Sequence, residues 1–263
     1  MRDAWRLALG TLSVAPVRPP TQVDRRTAGR AMVLAPVVGL LLAAVLVGLL
    51  WLCRGLPPLL AATLAIALLT VLTRGIHLDG LADTADGLGS GRSRDEALLL
   101  MRRGDVGPFG VVTLVLVVLL QVTALAGLLP AGPTPLVLAL VTSRLALPLV
   151  CSSGIPAARP QGLGSTVAGS VSRAGLLLAV LLAAAVTSVT WLTQGLALRT
   201  GPHPGAPGGL PTVLAVAVPL LLAWLLAVRC VRRLGGVTGD VLGACVEVAF
   251  AASLLVLTVL SGR

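Results

Sequence analysis

The stretch F-G-V-V-T-L-V-L-V-V-L-L-Q-V-T-A-L-A-G-L-L, residues 109–129, decides what kind of molecule this is. It carries no charge and has about the ~20 residues that an α-helix needs to cross a bilayer. Comparable runs lie at Met32–Leu52, Pro57–Leu72, Ala174–Leu192, Pro211–Val228 and Val241–Leu260, and a shorter one, Pro135–Val150, carries Arg144. Of the 263 residues, 56% are hydrophobic and 11% charged, against roughly 25% charged in a soluble domain, and the mean hydropathy is +1.00. The expected fold is an all-α, polytopic integral membrane helical bundle of about seven transmembrane helices. It forms a single membrane domain over residues 1–263, with an interfacial N-terminal segment over 1–30.

The chain has no lysine, so the arginines orient the helices. Six of them precede the first span, and Arg74, Arg92, Arg94, Arg102 and Arg103 lie between spans two and three. Arg159 and Arg173 follow span four, and Arg229, Arg232 and Arg233 follow span six. The alternate connections hold one arginine or none. The positive-inside rule therefore puts the N-terminus and the loops 74–107, 151–173 and 229–240 in the cytoplasm of a bacterial cell, as a multi-pass protein of the cytoplasmic membrane. The net charge of +10 is accounted for by topology and contact with membrane lipid, without a nucleic acid partner.

No signal peptide is expected in Met1–Val14, whose Trp5, Leu7, Leu9 and Leu12 suit a short interfacial helix. Cys53, Cys151, Cys230 and Cys245 show no C-x-x-C spacing and read as buried free thiols. The outer connection Arg199–Pro211, which contains His203, reads as a flexible Gly- and Pro-rich loop, and His203 is given no role. The sequence assigns no oligomeric state.

Six of the ten acidic residues lie between spans two and three, and three of them, Asp79, Asp83 and Asp86, stand at i, i+4 and i+7. On a helix they share one face, about a turn apart, and such a row repels itself unless cations hold it. Asp240 and Glu247 repeat the i, i+7 spacing at the start of the last span, roughly 10 Å apart along a helix. Both acidic groups map to the cytoplasmic side and can converge on one cleft. A Mg²⁺ site fits the row, because this ion takes carboxylate oxygens and completes its shell with water and substrate phosphates. A cation path, or a solvated helix face balanced by arginines, are the other readings.

Arg144 sits within an apolar segment, where a charge costs on the order of 3 kcal/mol. Its partners are an acid of the cleft, Glu247 among them, or an anionic ligand. Arg92, Arg94, Arg102 and Arg103 share a glycine-rich loop with the aspartates, so that phosphate-binding forks alternate with metal-holding acids. His77, two residues before Asp79, is a proton carrier, a substrate hydrogen bonder or a structural imidazole.

The run R-G-I-H-L-D-G-L-A-D-T-A-D-G-L-G-S-G-R-S at 74–93 resembles the cobalamin synthases, or adenosylcobinamide-GDP ribazoletransferases. The resemblance continues through M-R-R-G-D-V-G-P-F-G at 101–110, G-L-G at 162–164 and L-G-G-V-T-G-D-V-L-G-A-C-V-E at 234–247. The family often has M-R-D after the methionine at 101, whereas Arg103 stands here and an aspartate follows at Asp105. The resemblance implies a transferase that joins adenosylcobinamide-GDP to α-ribazole, or to α-ribazole 5′-phosphate, with release of GMP. It implies Mg²⁺ on Asp79, Asp83 and Asp86, catalytic work shared among these and His77, and substrate binding by Arg92, Arg94, Arg144, Asp240 and Glu247.

Three rivals are weighed against it. A CDP-alcohol phosphotransferase would show D-G-x-x-A-R, but Asp83 stands where the pattern needs another residue and the spacing is compressed. A cation-coupled transporter would spread its acids through the membrane depth. A structural subunit would tolerate loss of the aspartates.

Overall fold

The computed structural model describes residues 1–198 and 209–261. Its helices, in chain order, are α1 (Arg2–Leu12), α2 (Arg25–Val33), α3 (Ala35–Leu52), α4 (Pro58–Leu72), α5 (Ile76–Gly89), α6 (Arg94–Leu100), α7 (Pro108–Leu128), α8 (Thr134–Val150), α9 (Leu163–Val167), α10 (Arg173–Leu198), α11 (Gly209–Leu234) and α12 (Gly239–Ser261). No strand is present among the described residues beyond two isolated bridges.

Local chemistry explains the boundaries. Prolines occupy the first turn of α3, α4, α7 and α8, where a missing N–H costs nothing. Asp24 caps α2 by accepting the Thr27 amide at 2.7 Å. Ser93 and Glu96 form a reciprocal capping box at α6. The stretch read as a loop at 74–107 is thus largely helical.

Each expected span has a helix within a few residues of it, except that Met32–Leu52 is broken at Leu34 between α2 and α3. The expected count of seven is not reached by length and composition. Four described helices are long and apolar enough to cross, and α4 with α5 makes a fifth candidate, although the two are bent by 88°. Helix α8 and the first part of α10 are apolar but shorter. The chain is a multi-pass helical membrane protein.

Helix α8 is the central post, with every residue from Thr134 to Pro148 buried, packed against α3, α10, α11 and α12. Helix α7 turns Val112, Leu116 and Leu119 outward, as lipid contact requires. Helix α1 forms as expected but is not a purely interfacial helix. Its Ala4, Leu7, Ala8 and Leu12 are buried in the core, and Trp5 and Leu9 are partly buried against it. The four cysteines are buried and free. Residues 199–208, including His203, lie outside the described residues.

Candidate active site

Helix α5 carries the aspartate row across the end of the bundle, against α12 and α7. Its contact with α12 is backbone to backbone. A Cβ on Gly80 would lie 2.5 Å from the Asp240 carbonyl oxygen, and one on Gly243 would lie 3.1 Å from the Cα of His77. Glycine at these two places lets the helices approach closely, which brings Asp79 and Asp83 of α5 beside Asp240 of α12.

These elements bound a cavity of about 500 Å³, within the ~300–1,000 Å³ typical of small-molecule sites. One wall comes from α5 and the end of α1, with His77, Asp79, Arg74 and Thr11. The other comes from residues 159–165 and the start of α12, with Arg159 and Asp240. A parallel bridge between Ala157 and Val237 fixes that second wall, with Ala158 N donating to the Val237 carbonyl at 3.0 Å and Val237 N to the Pro156 carbonyl at 2.9 Å. Arg159 is thereby held 3.7 Å from the Asp240 carboxylate, and it donates to the Leu98 carbonyl at 2.6 Å. Burial lowers the Arg159 guanidinium below its ordinary value while Asp240 acts in the opposite direction, and the group stays charged.

The three aspartates of the row differ in their partners. Asp86 is 4% exposed and is bonded from two sides, by Gly107 N at 2.7 Å and Gly110 N at 2.9 Å. It holds the N-terminus of α7, where amides are open and the helix dipole favours a negative charge. Asp79 is exposed on the cleft wall and Asp83 is buried behind it. Neither of these two carboxylates is bonded by a protein donor among the described residues. Asp83 lies within electrostatic reach of Asp79, Asp240, Asp86 and Arg159.

No three His, Cys, Asp or Glu side chains among the described residues converge closely enough to hold a metal ion by themselves. That is compatible with Mg²⁺, which is commonly bound through one or two carboxylates plus water and substrate phosphate. Asp79 and Asp83, unengaged and mutually repelling, are the donors that fit it.

The remaining expected residues fall away from the cleft lining or on its floor. Arg94 donates to the Ala158 carbonyl at 3.4 Å and lies flat on Gly235, while the carbonyl of Arg92 accepts from Arg233. Both brace the protein around the end of α11. Arg144 is 1% exposed inside the bundle, and its Nη1 donates to Ser143 Oγ at 2.9 Å. Glu247 is within its electrostatic reach but makes no ion pair with it; instead Glu247 accepts from Gln121 Nε2 at 2.7 Å. His77 is buried where the cleft meets this polar core, and both of its ring nitrogens lack a protein partner. Arg74, Arg159 and Gln121 were not singled out by the sequence. Arg159 stands three residues before the family-like G-L-G at 162–164, the local signal that points to it.

Comparison with known proteins gives the chain's relatives. The chain matches the cobalamin-5-phosphate synthase family over residues 4–258. It is 43% identical to the adenosylcobinamide-GDP ribazoletransferase of Frankia casuarinae over 96% of this chain and 93% of that protein. Identity to the enzyme of that name from a Nocardioides species is 46%, over 97% and 98%. For Pseudomonas aeruginosa it is 39%, over 98% and 99%. No solved structure matches. The chain belongs to the cobalamin-5-phosphate synthase family.

Proposed function

We propose that the chain is a membrane transferase that joins adenosylcobinamide-GDP to α-ribazole or α-ribazole 5′-phosphate, giving adenosylcobalamin or its 5′-phosphate and GMP. The observation that carries this reading is one cleft lined by the unengaged Asp79 and the Arg159–Asp240 pair, with the unengaged Asp83 buried behind Asp79, at a glycine-mediated helix contact. Acids beside a guanidinium suit a diphosphate. The full-length relatives bear the matching name.

The chemistry is a displacement at phosphorus. An acceptor hydroxyl oxygen bonds to the phosphorus that carries cobinamide, the bridging P–O bond breaks, and its electron pair leaves with GMP. Because the acceptor can carry a phosphate on its 5′ oxygen and the product keeps it, the attacking oxygen is a different ribose hydroxyl. Its proton passes to a basic group on the cleft wall, where Asp79 and His77 stand. Arg159 binds the phosphates, the role that the sequence offered to Arg92, Arg94 and Arg144. Asp240 holds Arg159 at that place. Mg²⁺ held by Asp79 and Asp83 would supply neutralisation of diphosphate charge. By the arginine distribution, the cleft opens to the cytoplasm of a bacterial cell and the N-terminus lies inside.

The test is product formation by detergent-purified protein, titrated with Mg²⁺, for wild type and Asp83→Asn. Mg²⁺-dependent product from wild type, with the dependence moved to higher Mg²⁺ in the variant, is expected. No product from an intact, helical wild-type protein overturns the function, and an unmoved Mg²⁺ curve overturns the assignment of the ion to Asp83.

A further inference from the structure

Arg74 is at odds with its own backbone. Its φ is +56°, the one left-handed conformation of a non-glycine residue among those described, and Gly75 follows at +66°. The two residues turn the chain through the 88° bend between α4 and α5. A side chain in this region is sterically disfavoured, whereas glycine would take it freely. An arginine here is kept against a local penalty, and such outliers gather at functional sites.

Its surroundings indicate what the side chain does. Arg74 lines the cleft on the α1 side, is exposed, and donates one Nη2 hydrogen bond to the Gly10 carbonyl at 2.6 Å, leaving most of its five N–H donors open. No carboxylate pairs with it: the ion pairs among the described residues are Arg6–Asp3 and Arg159–Asp240. Nor is it among the charges that act on Asp83, Arg159 or Asp240. The cleft therefore carries two cations in different settings, Arg159 paired with Asp240 on one wall and Arg74, which makes no ion pair, on the wall that also carries Asp79.

A reaction between a diphosphate and a phosphorylated acceptor brings two anionic groups to one cleft, and one of them does not react. We propose that Arg74 binds the unreactive 5′-phosphate of the acceptor and so makes the enzyme prefer α-ribazole 5′-phosphate to α-ribazole. The inference rests on the function proposed above. A guanidinium fork suits a terminal phosphate in charge and shape, and the strained turn aims it from a rigid helix junction. Anchoring to Gly10 at the end of α1 limits the positions it samples.

The test compares kcat/KM for the two acceptors, with adenosylcobinamide-GDP saturating, in wild type, Arg74→Gln and Arg74→Lys. Wild type is expected to favour the phosphorylated acceptor. Arg74→Gln should lower kcat/KM for that acceptor by roughly ten- to a hundred-fold, mostly through KM, and change the value for α-ribazole by less than about three-fold. Arg74→Lys should fall between, keeping charge without the fork. Should Arg74→Gln lose thermal stability, Arg74→Gly, which relaxes the turn, provides the same comparison. Parallel loss with both acceptors means that Arg74 only ties α1 in place and overturns the proposal, as does an unchanged preference. Absence of product with either acceptor in wild type overturns instead the function on which the proposal rests.

Discussion

Replacing Asp86 by asparagine tests whether the aspartate row is one site or two. The carboxylate is 4% exposed and each of its oxygens accepts one amide, from Gly107 at 2.7 Å and from Gly110 at 2.9 Å. Asparagine has one carbonyl oxygen, so one amide keeps a partner and the other meets an NH₂ group, donor against donor. The change removes one charge-assisted bond, worth about 1.5–3 kcal/mol, and the attraction of a full negative charge to the start of α7, worth up to about 2 kcal/mol when partly buried. A loss of about 2–4 kcal/mol follows. The pocket cannot easily adapt, because a Cβ at Gly107 or Gly110 would already lie within 2.5 Å of an Asp86 oxygen. Thermal unfolding of the purified protein in detergent should show a midpoint several degrees lower for Asp86→Asn. Asp79→Asn and Asp83→Asn should keep the midpoint or raise it, since each removes one of a set of repelling charges, while forming less product at the Mg²⁺ concentration that saturates wild type. A wild-type midpoint in an inactive Asp86→Asn would refute the assignment of Asp86 to α7. Equal destabilisation by all three substitutions would refute the division of the row.

Gly80→Ala should cost about 1–3 kcal/mol by overpacking and lower kcat, because its Cβ lies 2.5 Å from the Asp240 carbonyl and must push α5 from α12; wild-type stability and kcat would show that the contact is not needed. Glu247→Gln keeps an acceptor for Gln121 but removes the negative charge nearest Arg144, so about 3 kcal/mol should be lost. Adding Arg144→Met should restore part of it in unfolding measurements, whereas additive losses would deny the coupling. At α6, hydrogen bonds from the Ser93 side chain and then its backbone hold the Glu96 carboxyl below its ordinary value. Glu96 thus stabilises the helix above its unfolded-state pKa, and the contribution fades as pH falls through the lower folded value. The protection of α6 amides, taken relative to the intrinsic exchange rate at each pH, should fall over that acidic range in wild type and not in Glu96→Gln.

What could be read from the sequence and what could not follows from the range of the interactions. Apolar runs announce helices because bilayer crossing constrains each residue in turn, and the observed α4, α7 and α8 begin within a residue of the runs. The count of crossings was less legible. Helix α4 is short and gives way through Arg74 and Gly75 to a helix at 88°, and hydropathy does not report a bend. The same locality made Arg92 and Arg94 look like phosphate ligands, since they follow the aspartates closely. Yet the carbonyl of Arg92 accepts from Arg233, and the Arg94 side chain reaches Gly235 and Ala158, outside the cleft lining.

The aspartates themselves show why spacing alone was insufficient. The i, i+4, i+7 pattern correctly put Asp79, Asp83 and Asp86 on one helical face, but a face 14 residues long passes more than one neighbour. At one end Asp79 meets the cleft; at the other Asp86 meets Gly107 and Gly110, 21 and 24 residues on. A carboxylate whose oxygens both accept backbone amides has spent the lone pairs that point toward those donors, and the glycines leave no room for it to turn away. Arg159 is the converse case. It lies in an irregular segment with no periodicity to mark it, and it reaches the cleft because the backbone of Ala157 and Ala158 pairs with Val237, three residues before Asp240. Arg94 and the backbone of Arg92 are engaged outside the cleft lining while Arg159, far from the row along the chain, is part of it, because in this bundle closeness along the chain does not set closeness in space.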